Sequence, residues 1–173
     1  MTQILARQII ETAIDTGWMI CTIESCTGGM VFAALTDIAG SSAVMDRGFV
    51  TYSNQAKQEM VGVSGDTLEA FGAVSSQTAT EMAQGGIAHS RADISLSITG
   101  IAGPGGGSAE KPVGMVWMAV ATRRGVQQAK RFDFSGDRIA IRQQALAEGL
   151  ELIHAGLPKS RARQSERDTD YLP

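Results

Sequence analysis

Apolar positions in residues 3–16 fall at Leu5, Ile9, Ile10, Ala13 and Ile14, the spacing of one helical face, so an amphipathic helix is predicted there. Gly17 ends it, and residues 18–23 read as a buried strand. Thr27 is placed to cap a second helix with Val31, Ala34, Leu35 and Ile38 inside, and Gly40 is a natural stop for it. Residues 48–52 are strand-like, and Asn54 is the expected cap of a helix that carries Lys57. A short helix over residues 66–71 and a longer one after Ser75 or Ser76 follow.

Residues 93–99 alternate apolar and polar side chains with period two, the pattern of a strand. They run straight into Gly100-Ile101-Ala102-Gly103-Pro104-Gly105-Gly106-Gly107, too rich in glycine for helix or strand. Residues 113–121 form the next expected strand, and Arg123-Arg124-Gly125 turns the chain into another over 128–134, a late hairpin. Asp137 is placed to open a last helix with Ile141, Ala145, Leu146, Leu150 and Ile153 inside. From Pro158 onward the chain is polar and charged, and a mobile tail is expected over 158–173. Strands alternating with helices across 1–157 predict a single α/β domain, three layers (α/β/α) around a mixed, mostly parallel sheet of about five strands.

Composition narrows the possible roles. The chain has 173 residues, 43% of them apolar and 19% charged, which suits a folded domain with a core of its own. Its net charge of −3 supplies no general field for nucleic acid, so a phosphate must be held locally. Cys21 and Cys26 make no disulfide framework, and neither of the two histidines lies near them in sequence, which argues against a metal. No run of about 18 apolar residues is present to span a membrane. The opening residues lack a signal peptide's basic flank and apolar stretch, so a cytoplasmic location is expected.

Candidate chemistry concentrates in three segments, two of them on loops that directly follow a strand, where α/β folds place ligands. In Glu24-Ser25-Cys26-Thr27-Gly28-Gly29, Ser25 lies near an expected helix start, whose free N–H groups can support an alkoxide, hold a phosphate or supply oxyanion donors. The same residues also suit plain capping and close packing. Ile23 stands where a G-x-S-x-G elbow would need its first glycine. Cys26 is a rival nucleophile, because a helix start favours a thiolate, although small buried cysteines are common.

A serine nucleophile needs a base. His89 and His154 both lie late in expected helices, where a histidine is ordinarily a C-terminal cation or a surface group. In Thr51-Tyr52-Ser53-Asn54-Gln55-Ala56-Lys57, a desolvated Lys57 can act as base and Tyr52 can relay a proton or orient the amine. Taken by itself, Lys57 reads more readily as a solvated helix residue, as most lysines do. Thr99 to Ser108 can aim several N–H groups into an anion nest, with Thr99, Gly100, Gly103, Gly105 and Gly106 as candidate ligand contacts. The segment matches neither the Walker pattern nor a complete G-x-G-x-x-G. Arg138 and Arg142, four apart at the start of the last helix, can clamp a phosphate or form surface ion pairs.

These segments, in this order, resemble the CinA C-terminal domain family, whose stand-alone members are nicotinamide-nucleotide amidases. The resemblance rests on Glu24 to Gly29, Ala39-Gly40-Ser41-Ser42, Gly48 to Asn54 with Lys57, and Gly72-Ala73-Val74-Ser75. Thr99 to Gly107, Lys111-Pro112-Val113-Gly114 and Phe134-Ser135-Gly136-Asp137-Arg138 complete it. It covers residues 5–153 and implies a deamidase that converts nicotinamide mononucleotide to nicotinic acid mononucleotide and ammonia. By that resemblance Ser25 is the nucleophile, Lys57 and Tyr52 assist, and no metal or cofactor is needed. Backbone N–H groups around Cys26, Thr27, Gly28 and Gly29 would hold the oxyanion, and the glycine loop or Arg138 the ribose-phosphate. The expected partner is a small nucleotide substrate, with self-association into a homo-oligomer, and no nucleic acid or membrane. The alternatives are a silent nucleotide-binding or protein-interaction module, and an amidase of another small phosphorylated amide. The presence of both Ser25 and Lys57 favours an enzyme, since a phosphate nest alone needs neither.

Overall fold

The computed structural model describes residues 2–159, and the tail expected from 158 onward lies almost wholly outside the described residues. In chain order the elements are α1 (Thr2–Thr16), β1 (Ile20–Glu24), α2 (Met30–Thr36), a 3-10 turn (Ser41–Ala43) and β2 (Met45–Val50). These are followed by α3 (Asn54–Val61), α4 (Gly65–Phe71), α5 (Ser76–Ala88) and β3 (Ile94–Gly100), and then by β4 (Met115–Thr122), β5 (Gly125–Asp133) and α6 (Arg138–Gly156). The strands form one sheet in the order β2-β1-β3-β4-β5. β1 pairs in parallel with β2 and β3, whereas β4 is antiparallel to both its neighbours, so four strands run one way and one runs back. The result is the expected three-layer α/β domain with a mixed, mostly parallel sheet and a late hairpin.

Side-chain alternation on the strands builds the two outer layers. On one face Ile20, Leu96, Ile98, Met118 and Val120 pack with Ile9 and Ile10 of α1, Val31 and Leu35 of α2, and Ile141 and Leu150 of α6. On the other, Cys21 and Ile23 meet Val61 of α3, Leu68 of α4 and Met82 of α5, and Ala79 and Ala83 of α5 lie against Ala119 and Ala121. The polar positions of β3 are buried too. Ser95 and Ser97 donate to the carbonyls of Ala83 and Ala79 at 2.7 and 2.6 Å, and Thr99 donates to Ala73 at 2.7 Å. Small hydroxyls that satisfy themselves on helix carbonyls let α5 sit close to the sheet.

Three sequence expectations about local structure are corrected. Thr27 does not cap α2: it is buried, its hydroxyl has no hydrogen-bond partner, and the cap position falls to Gly29. The cap of α3 is Ser53, whose hydroxyl accepts from Ala56 N–H at 3.0 Å, with Asn54 already inside the helix. Ile14 is largely exposed, because α1 turns only Ala6, Ile9, Ile10 and Ala13 fully inward. Asp137 does cap α6, accepting from Ala140 N–H at 2.8 Å.

From β1 the chain passes to β2 on one side, and β3 then pairs on the other. The sheet order therefore reverses at the carboxyl ends of β1 and β3, where open α/β sheets leave a crevice for ligands. Ser25 follows β1 directly, and Thr99 and Gly100 end β3.

Candidate active site

Between β1 and α2 the chain must reverse within a few residues. Gly28 and Gly29 carry positive φ angles of 64° and 99°, a region glycine enters without Cβ strain. The turn is closed by Gly28 N–H donating to the Ser25 carbonyl at 3.1 Å and anchored by Ser25 N–H donating to Ile98 of β3 at 2.9 Å. Glu24 then fixes the start of α2. Its fully buried carboxylate accepts from Gly29 N–H and Val31 N–H at 3.0 and 3.1 Å on one oxygen, and from Phe32 N–H at 2.9 Å on the other. The anion at this helix start is thus supplied by the chain, and Gly29 N–H is not available to an oxyanion.

α3 carries Lys57 inward. Its ammonium nitrogen lies 3.1 Å from Ser25 Oγ and donates to the Thr51 carbonyl at 2.8 Å. Lys57 is only 1% exposed. Burial pushes its pKa down to about 8, and the nearby Cys26 offsets only part of that effect. Among the described residues no carboxylate lies within ion-pair distance of it. Ser25 itself is 8% exposed, at the floor of the crevice. The solvated-lysine alternative does not describe this residue. For Cys26, burial pushes the thiol up to about 11, the wrong direction for a thiolate nucleophile near neutral pH.

Ser25, Cys26, Tyr52, Lys57, Thr99, Gly100 and Arg138 share one cavity of about 190 Å³, with Asn54, Ala73, Val74 and Ala102 completing its walls. Tyr52 stands at the rim, 63% exposed, and its hydroxyl accepts from Arg138 at 3.1 Å. The other arm of Arg138 donates to the Gly103 carbonyl at 2.8 Å, tying the glycine loop to α6. Gly105 and Gly106 are exposed and lie outside the cavity lining, and Thr27, Gly28 and Gly29 form the turn behind it. Arg142 also stays out of the cavity. Its guanidinium donates from Nε to the Cys26 carbonyl at 3.0 Å and from a terminal nitrogen to the Thr27 carbonyl at 2.9 Å. Arg138 and Arg142 therefore part company, one lining the cavity and the other gripping the turn that carries Ser25.

Sequence reasoning assigned no task to Glu24 and none in the site to Asn54, Ala73, Val74 or Ala102. A buried carboxylate just ahead of a Gly-Gly turn and a helix was the available sign for Glu24. No group of three or more metal-ligating side chains occurs among the described residues, and no helix there is long and apolar enough to cross a membrane.

Comparison with known proteins agrees with this architecture. The model of the CinA C-terminal domain matches residues 2–157. The nicotinamide-nucleotide amidohydrolase PncC of Escherichia coli K12 is 53% identical over 149 residues, covering 86% of this chain and 90% of that one. A CinA-like protein of Syntrophobacter fumaroxidans is 47% identical over 149 residues, which is 86% of this chain but 35% of that longer protein. The crystal structure of the competence/damage inducible protein CihA from Agrobacterium tumefaciens superposes with a TM-score of 0.87 at 51% identity, covering 89% of this chain and 94% of that one. The chain belongs to the CinA C-terminal domain family.

Proposed function

We propose that this protein is a nicotinamide-nucleotide amidohydrolase that uses Ser25 as nucleophile and Lys57 as general base. The relatives named as nicotinamide-nucleotide amidohydrolases support the substrate. The mechanism rests on one observation: a buried amine, unpaired with any carboxylate among the described residues, 3.1 Å from a serine hydroxyl.

With Lys57 neutral, one N–H still donates to Thr51 and the lone pair accepts the Ser25 proton. Ser25 Oγ attacks the carboxamide carbon of nicotinamide mononucleotide, forming a C–O bond while the carbonyl π pair moves to oxygen. The oxyanion is met by backbone N–H at the turn, where the Cys26 N–H follows the nucleophile directly and Gly29 N–H is excluded by its bond to Glu24. The Lys57 ammonium returns the proton to nitrogen as the C–N bond breaks and ammonia leaves. Water then adds to the Ser25 ester with Lys57 again taking its proton. Nicotinic acid mononucleotide departs with its carboxylate, and Ser25 regains its hydrogen. Arg138 is the guanidinium lining the cavity and is assigned to the substrate phosphate. Tyr52 is assigned to the rim beside it, where its hydroxyl accepts from Arg138 and can orient that side chain.

Ammonia release by the purified, folded protein tests the reading, with nicotinamide mononucleotide, nicotinamide riboside and free nicotinamide compared. Turnover of the nucleotide well above the other two is expected. No turnover of the nucleotide would overturn the assignment.

A further inference from the structure

We propose that Arg142 is a positioning residue for the oxyanion site, acting through two hydrogen-bonded peptide groups on the N–H of Cys26. This inference rests on Ser25 being the nucleophile. It extends that reading to a residue that touches neither nucleophile nor cavity.

The Arg142 fork grips the carbonyls of Cys26 and Thr27 at 3.0 and 2.9 Å. The Thr27 carbonyl shares its peptide plane with Gly28 N–H, which donates to the Ser25 carbonyl at 3.1 Å. The Ser25 carbonyl in turn shares its plane with Cys26 N–H, and Cys26 lines the cavity beside Ser25. Guanidinium, one peptide and a second peptide thus form a head-to-tail hydrogen-bond chain that ends on the Cys26 N–H. Such chains polarise each successive donor, and the first donor here carries a full charge. The second tooth of the fork, on the Cys26 carbonyl, fixes the intervening peptide so that the turn cannot rotate.

Charge placement agrees. Arg142 is half-buried, and among the described residues it has no carboxylate within ion-pair distance. No ion pair holds its charge, which sits on the side of the Ser25 turn away from the cavity. Glu24 restrains the other end of the same turn through Gly29, Val31 and Phe32. A phosphate clamp would require Arg142 to face the cavity, and both its bonded nitrogens face the turn instead.

The test compares Arg142→Ala and Arg142→Lys with Arg138→Ala in steady-state kinetics on nicotinamide mononucleotide and nicotinamide riboside. Thermal unfolding of each variant is followed in parallel. Arg142→Ala is expected to lower kcat by roughly 10- to 100-fold, somewhat less than deletion of a direct oxyanion donor, with KM within about 3-fold of the parent. Arg142→Lys, which keeps the charge and one donor, should recover part of the loss. The preference for the phosphorylated substrate should be unchanged in both, whereas Arg138→Ala should raise KM and erode that preference. Unchanged kcat in folded Arg142→Lys and Arg142→Ala, or a KM effect with lost phosphate preference, overturns the inference. Labelling of Ser25 by a fluorophosphonate, which forms a P–O bond to Oγ and expels fluoride, keeps the test independent of the substrate. If the parent is labelled but does not hydrolyse the nucleotide, the substrate reading alone fails. Slower labelling of the Arg142 variants then still supports the positioning role, and unchanged labelling still overturns it.

Discussion

An amine with 1% of its surface exposed and no carboxylate beside it gives up its proton more readily than a solvated one. At Lys57 burial is converted into basicity at a useful pH, since the amine loses its proton near pH 8 while an ordinary lysine keeps its own to about pH 10. In the proposed mechanism the active form of Lys57 is the deprotonated one, so kcat/KM for nicotinamide mononucleotide should rise with pH and level off above about 8. A pH–rate profile that is flat or falls through that range would contradict a lysine base. In sequence, Ser25 and Lys57 are 32 residues apart and Lys57 is one lysine among several. Only the pairing of β1 with β2, which sets α3 over the turn, brings them together, so the scarcity of histidines could single Lys57 out as a candidate but only the family resemblance favoured it over a solvated lysine. Arg138 and Arg142 show the converse. Their spacing of four suggested a joint clamp, but at the first turns of α6 one faces the cavity and the other the turn.

At the scale of elements, α2 is a seven-residue helix with a glycine cap, and its stability depends on Glu24. Glu24→Gln leaves shape intact but replaces two acceptor oxygens by one acceptor and a donor that faces backbone N–H groups. A loss of about 1–3 kcal/mol in denaturant unfolding is expected; no measurable loss would show that the carboxylate is not what anchors the helix. Elements with strong periodicity were legible: α1, β3 and α6 lie within a residue or two of their expected limits. Caps were not. Thr27 and Asn54 are both good capping types, yet the turn's two positive-φ glycines moved the start of α2 to Met30, and Ser53 took the cap of α3.

Across the whole molecule, the site is assembled at the carboxyl ends of the paired strands β1 and β3, and its accuracy depends on layers outside the cavity. α5 passes so close to the C-terminal end of α3 that a Cβ at Gly85 would collide with the Val61 carbonyl. Gly85→Ala should therefore push α3 outward, at a cost of about 1–3 kcal/mol in stability. It should also lower turnover by roughly 10- to 100-fold through looser Lys57–Ser25 geometry. Thermal unfolding and ammonia release measured together check both effects, and a stable, fully active variant would argue against this coupling. The alternation of strands and helices made the three-layer architecture legible in sequence. The way Ser95 and Ser97 bury their hydroxyls on α5 was not, because period-two polarity reads equally as a solvated face.

The central claim is that Ser25 attacks the amide carbon. Ammonia release from nicotinamide mononucleotide by Ser25→Ala measures this most directly, with Cys26→Ala alongside and circular dichroism to show that both variants fold. The expected result is a fall of ~10³-fold or more for Ser25→Ala and near-parental turnover for Cys26→Ala. Retained turnover in Ser25→Ala, or its loss only in Cys26→Ala, would contradict the account and move the nucleophile to another group.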